Sequence, residues 1–254
     1  MRTSVRSVVV GLLAVALLAV ASPATARELP VGRRFDGLPP VGALLAGPGG
    51  ARVCTATVVD SPGHDLVLTA AHCVAGTGAG LVFAPMLHRG VAPYGEWTVV
   101  AAHTDPRWLA DQDPRADYVL LTVAPRLRAG RVERVEDVVG ARRLLVGAAH
   151  PRRATVVGYP EGPDDRPLAC TARTYTHDGY PAVDCDGYTA GTSGGPWLTR
   201  SGAVFGAIGG LHQGGCVAWT SYSPPFGMGT ALAYLRAAEG LPGDVLPVPG
   251  GDGC

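Results

Sequence analysis

Apolar residues recur at every second position of this chain in short segments closed by Gly- or Pro-containing turns, a pattern that builds a core by pairing many short strands. The segments are Arg52 to Val59 (RVCTATVV), Asp65 to Ala71, Glu96 to Ala102, Asp117 to Val123, Ala154 to Gly158, Leu168 to Tyr175 and Ala203 to Gly209. Ser61-Pro62-Gly63-His64, Gly76-Thr77-Gly78, Asp105-Pro106, Pro160-Glu161-Gly162-Pro163-Asp164 and Ser201-Gly202 separate them and carry the residues that turns require. The 36 glycines and 22 prolines are therefore punctuation, not a disordered tract. An all-β barrel or sandwich follows. Two segments read as helical: Ala141 to Ala149, and Thr230 to Glu239 (TALAYLRAAE), with Thr230 as cap and Gly240 as stop.

The N-terminus sets the compartment. Arg2 and Arg6 precede an apolar run from Val8 to Ala21, which ends at Pro23 and the small-residue pattern Ala24-Thr25-Ala26. This reads as a secretory signal peptide, residues 1–26, with cleavage after Ala26. The run is too short for a membrane anchor, because a spanning helix needs roughly 20 apolar residues. Export makes the mature protein secreted and free of the membrane, and it places the six cysteines where disulfides persist. No Cys-x-x-Cys or His-x-x-x-His spacing argues for zinc, so no metal is expected. The 21 basic and 21 acidic residues balance, which leaves no electrostatic footprint for nucleic acid. One compact domain, 39–240, is expected to act as a monomer. It would be preceded by a short propeptide or N-terminal extension, 27–38, and followed by a loosely held Pro/Gly-rich tail, 241–254.

Three stretches carry chemistry. Leu68-Thr69-Ala70-Ala71-His72-Cys73 runs off a strand into a turn. Cys73 can bond back to Cys54 on the preceding strand and pin the backbone beside His72, fixing the orientation of an imidazole. Gly191-Thr192-Ser193-Gly194-Gly195-Pro196 is a glycine-rich turn around a serine. A hydroxyl is a weak nucleophile and needs an adjacent base, together with N–H donors for the oxyanion it creates. Glycines permit the tight loop in which the Gly191 and Ser193 amides could point at one site; a turn without catalytic role is equally compatible with this stretch taken alone. Asp117-Tyr118-Val119-Leu120-Leu121 puts an acid at the start of an apolar strand, where a carboxylate is costly unless paired, and an imidazolium is a suitable partner. Asp105, Asp111 and Asp113 lie in nearby Pro-containing loops and read as solvated.

Together, over roughly residues 39 to 238, these stretches resemble the trypsin/chymotrypsin family of serine proteases, in the style of secreted actinobacterial members. The resemblance implies two six-stranded antiparallel β-barrels with the active site in the cleft between them and a C-terminal helix. It implies a serine endopeptidase acting on polypeptides without a cofactor: Ser193 attacks, His72 is general base and then acid, Asp117 orients the imidazole, and Gly191 and Ser193 supply oxyanion donors. It also implies a Cys54–Cys73 bridge beside the histidine. Cys170 and Cys185 could pair across neighbouring strands, leaving Cys216 with Cys254; the rival pairing, Cys185 with Cys216, is common in relatives and would leave Cys170 with Cys254.

Two departures follow from the same likeness. Members activated by cleavage carry an Asp before the serine, where this chain has Thr192, although Arg33-Arg34 could be a processing site. The position that makes trypsin prefer Arg and Lys is Gly187 here. With Tyr188 and a wall of Gly209, Gly210 and Leu211, it implies a pocket without that preference.

Two other functions compete. The Gly-x-Ser-x-Gly pattern at Ser193 also fits an α/β-hydrolase esterase, but that fold needs an acid and then a histidine after the serine. The only later histidine, His212, has no acid between itself and Ser193. A protease-like binding domain that has lost its chemistry would usually lack one of the three residues, and all are present.

Overall fold

The computed structural model describes residues 28–254, so the expected signal peptide lies outside the described residues. The first half is a closed six-stranded antiparallel barrel. After a two-residue strand β1 (Arg33–Arg34), its strands are β2 (Val41–Leu45), β3 (Arg52–Val59), β4 (Leu66–Thr69), β5 (Val82–Pro85), β6 (Trp97–Thr104) and β7 (Val119–Val123), in the spatial order β2-β3-β4-β7-β6-β5. One face of these strands fills the barrel with Leu44, Val58, Val67, Phe83, Trp97 and Leu121. The other buries Val41, Leu45, Leu66, Leu68 and Leu120 against the second half and the C-terminal helix. Burial on both faces explains why β2 is apolar throughout and β4 is apolar up to Thr69, whose hydroxyl donates to Thr55 C=O.

A hairpin, β8 (Arg126–Arg128) with β9 (Arg131–Glu133), leads into the second half. Its strands are β10 (Arg153–Gly158), β11 (Leu168–Arg173), β12 (Tyr175–His177), β13 (Tyr180–Asp184), β14 (Pro196–Leu198), β15 (Val204–Ala207) and β16 (Thr220–Tyr222). The six-stranded barrel expected here is not observed. A five-stranded sheet, β1-β11-β10-β14-β15, and a three-stranded one, β12-β13-β16, share a core around Trp197, Phe205 and Tyr188. The seam between β15 and β16 fails as a ladder because a side chain intercepts it: Ser223 Oγ accepts the Ala207 N–H, and Gly209 N–H bonds Tyr222 C=O singly. The expected strand Leu168 to Tyr175 breaks at Thr174, whose hydroxyl bonds the backbone of Arg152.

Among the described residues there are three α-helices, α1 (Pro106–Asp111), α2 (Val135–Val139) and α3 (Met228–Ala238). The expected helix at Thr230 to Glu239 is α3, begun two residues earlier. The helix expected over Ala141 to Ala149 is instead extended chain between the halves. Arg142 N–H bonds Val58 C=O and Leu145 N–H bonds Val204 C=O, so partners on two sheets outcompete local helical bonds. Among the described residues no helix is long and apolar enough to cross a membrane.

Both ends of the described residues are built in. Gly32 N–H donates to Asp186 C=O and Asp186 N–H to Pro30 C=O, while Arg33 and Arg34 pair with Ala169 and Leu168. The tail at 241–254 is held, not loose: Leu246 is buried in the first barrel's core and exchanges two backbone bonds with Gly76.

Candidate active site

Three disulfides frame the site: Cys54–Cys73, Cys170–Cys185 and Cys216–Cys254. The first ties the end of a 3-10 turn, Ala71–Cys73, to β3, and this turn carries His72 off the end of β4. Asp117 sits just ahead of β7, which pairs with β4 in the barrel wall, so the barrel itself brings acid and imidazole together.

The Asp117 carboxylate is fully buried and makes three hydrogen bonds. Oδ1 accepts the His72 backbone N–H at 2.9 Å. Oδ2 faces His72 Nδ1 at 2.7 Å and also accepts the Gly210 N–H at 2.8 Å. A carboxylate can only accept, so Nδ1 carries a proton, and in the neutral ring Nε2 then presents a lone pair. Those three donors replace the water that Asp117 loses on burial.

Ser193 lies on the loop before β14, lining with His72 one cleft of about 520 Å³. Thr55 of β3 clamps this loop twice: its N–H donates to Ser193 C=O at 2.7 Å and its hydroxyl to Gly191 C=O at 2.9 Å. A Cβ at Gly194 would overlap the Thr55 carbonyl, which is why the loop can lie so close to the strand. Gly191 has φ +87°, and a Cβ there would stand 2.7 Å from Tyr159 O. Two carbonyls of the loop are engaged: Ala190 C=O accepts from Glu161 N–H and Thr192 C=O from Gly195 N–H. In a trans peptide the N–H points opposite the preceding C=O. The Gly191 and Ser193 N–H groups are thus turned away from those partners, and among the described residues neither meets a protein acceptor. The arrangement offers a hydroxyl, an oriented imidazole and two uncommitted donors in one cleft.

Of the five residues expected at the specificity pocket, Tyr188 lines the cleft, its buried phenol donating to Val156 C=O at 2.7 Å. Gly187, Gly209, Gly210 and Leu211 are not among its lining residues. Gly209 and Gly210 back the Asp117 carboxylate, and a Cβ on Gly209 would approach Oδ2 to 2.9 Å. The wall is built instead by Ile208, Gly214, Gly215, Ala218 and Ser221. Thr192 bonds locally, its hydroxyl reaching Thr189 C=O at 2.7 Å. Sequence reasoning missed Thr55, which looks like any strand threonine, and His212 and Asp252, which line the cleft from segments without a motif.

Two groups bring three metal-ligand atoms within 4.8 Å of one another, Cys54–His72–Cys73 and His212–Cys216–Cys254. In each, both sulfurs are joined in a disulfide, so the thiolates that a metal would need are absent.

Asp105, expected to be solvated, is 5 % exposed and braces the approach to Asp117. It caps α1 through the Arg107 N–H, and it accepts from the Arg107 guanidinium and the Tyr118 hydroxyl. Burial pushes the carboxyl up, but these hydrogen bonds outweigh it and hold the group at about 2. A folded-state value below the unfolded one stabilises the protein above the unfolded carboxylate range, and that stabilisation is lost as pH falls toward the folded value. Asp105→Asn keeps the cap and removes the charge. We expect urea unfolding at pH 7 to show a loss of about 1–3 kcal/mol, shrinking by pH 3. An equal loss at both pH values would contradict the ion pairing.

Comparison with known proteins agrees with this fold. Residues 54–206 match the family model described as a trypsin-like peptidase domain. No curated protein sequence matches the chain significantly. Protease Anisep from Arthrobacter nicotinovorans superposes with a TM-score of 0.71 at 24% identity, over 82% of this chain and 100% of that one. The thermostable serine protease AL20 from an extremophilic microorganism gives 0.68 at 25%, over 79% and 97%. Human heparin binding protein gives 0.63 at 14%, over 87% and 100%. The lower identities speak for the fold alone.

Proposed function

The chain belongs to the trypsin-like peptidase family, a family of hydrolases, and from that premise we propose that it is a secreted, monomeric serine endopeptidase. His72 Nε2 takes the proton of Ser193 Oγ as the oxygen attacks a peptide carbonyl, and the Gly191 and Ser193 N–H groups receive the oxyanion. His72 then gives its proton to the leaving amine, and water releases the acyl group from Ser193 by the same steps in reverse. Asp117 holds the imidazole in the required tautomer and stabilises the imidazolium. The observation that carries this reading is the buried Asp117 carboxylate committed to His72 Nδ1 at 2.7 Å, in a cleft shared with Ser193. Gly187 at the position that selects basic residues in trypsin argues against an Arg/Lys preference of that kind.

A non-catalytic binding role is the second reading, since human heparin binding protein has this fold. It does not account for a buried acid spent on orienting an imidazole. Treatment of the purified mature protein with a fluorophosphonate separates the two. We expect one stoichiometric adduct on Ser193 and none on the Ser193→Ala variant; an unlabelled, folded protein would refute the peptidase reading.

A further inference from the structure

The segment after α3 leaves the helix, crosses the first barrel and finishes against the cleft. Asp244 accepts the Thr104 N–H, and Leu246 exchanges backbone bonds with Gly76, three residues beyond the Cys73 bridge. Farther on, Gln112 grips it from the end of α1, its side chain donating to Val248 C=O and accepting the Gly250 N–H. Its last residues then reach the wall formed by His212–Cys216. Gln213 Nε2 donates to Gly250 C=O at 2.8 Å, His212 Nδ1 to Asp252 C=O at 3.1 Å, and Cys216 is bridged to Cys254.

The wall needs this help. His212 and Gln213 are adjacent non-glycine residues at φ +51° and +50°, a left-handed pair that persists only where the surroundings over-determine it. The side chain of each ends on the segment, as does the Cys216 sulfur two residues from Gly214. The wall follows shortly after Gly210, whose N–H seats Asp117, and His212, Gln213, Cys216 and Asp252 all line the cleft.

We propose that residues 246–254 are a substrate-binding element, a strap from the His72 side of the first barrel to the far wall of the cleft. It holds that wall in shape for polypeptide residues beyond the one seated next to Ser193. The inference rests on the peptidase reading above. Its signature is a dependence on substrate length, because the acylating groups lie on other segments and a short substrate does not reach the strap.

The test compares the intact protein with two full-length variants, Cys216→Ser/Cys254→Ser and Gln112→Ala, which keeps the disulfide and touches the strap away from the cleft lining. Each is assayed on a single-residue ester and on a five-residue peptide, beside fluorophosphonate labelling. We expect the double variant to raise KM for the peptide about tenfold, with KM for the ester and kcat for both changed less than about threefold, and Gln112→Ala to shift the same ratio less. Equal changes for both substrates, or none, would overturn the proposal. Should the double variant fail to fold, an unchanged peptide-to-ester ratio in Gln112→Ala would overturn it too. An intact protein that takes no label refutes the peptidase reading itself, which distinguishes that failure from this one.

Discussion

Ser193→Ala and His72→Ala are each expected to lower kcat on peptide substrates by about four to six powers of ten, with the double variant scarcely worse than either single one. Removing the hydroxyl leaves no atom to form the acyl intermediate. Removing the imidazole leaves a hydroxyl with no base, so the second loss deletes nothing that still functions. Residual hydrolysis comes from the cleft and its two N–H donors acting on water. Both substitutions keep the backbone anchors, Ser193 C=O with Thr55 and His72 N–H with Asp117, although His72→Ala leaves the buried Asp117 carboxylate one donor short. Steady-state kinetics beside thermal unfolding checks this. A Ser193→Ala protein with ordinary peptidase activity would require a different nucleophile.

Asp117→Asn is expected to cost about four powers of ten in kcat with an intact fold, through the tautomer and not through lost charge alone. The carboxylate accepts from three donors: the His72 N–H, the Gly210 N–H and His72 Nδ1–H. An amide has one acceptor oxygen and a donor NH2, so at least one contact becomes donor against donor. The ring can relieve this by moving its proton from Nδ1 to Nε2. Nε2 is then a donor and cannot take the Ser193 proton. Leaving a buried N–H unmatched also lowers stability, by about 1–3 kcal/mol. Kinetics, with the imidazole nitrogen NMR shifts reporting the tautomer, test the explanation: full activity, or a proton still on Nδ1, would count against it.

How much of this was legible beforehand depends on how local each determinant is. His72, Asp117 and Ser193 each stand in a run of five or six residues whose types explain one another: a cysteine pinning a histidine, an acid heading an apolar strand, glycines around a serine. Strands β3, β6, β7 and β10 were readable to within a few residues because alternation is a property of the segment itself. Asp105 was misread as solvated because its burial depends on Tyr118, from another element. The helix expected at Ala141 to Ala149 failed because its backbone is claimed by Val58 and Val204, far away in the chain.

The sequence by itself determined the period of the strands, the places where the chain must turn, and the chemical types at the three motifs, since all of these reside in neighbouring residues. Only the tertiary structure decided that Gly209 and Gly210 seat the acid and do not line the pocket, that the Ser223 hydroxyl interrupts the second half's ladder, and that the final segment forms part of the cleft. Each of those outcomes is a contact between distant residues, Gly210 with Asp117, Ala207 with Ser223, Gln213 with Gly250. A hydrogen bond at 2.8 Å between residues that far apart is set by how whole sheets and loops pack, and no local period encodes it.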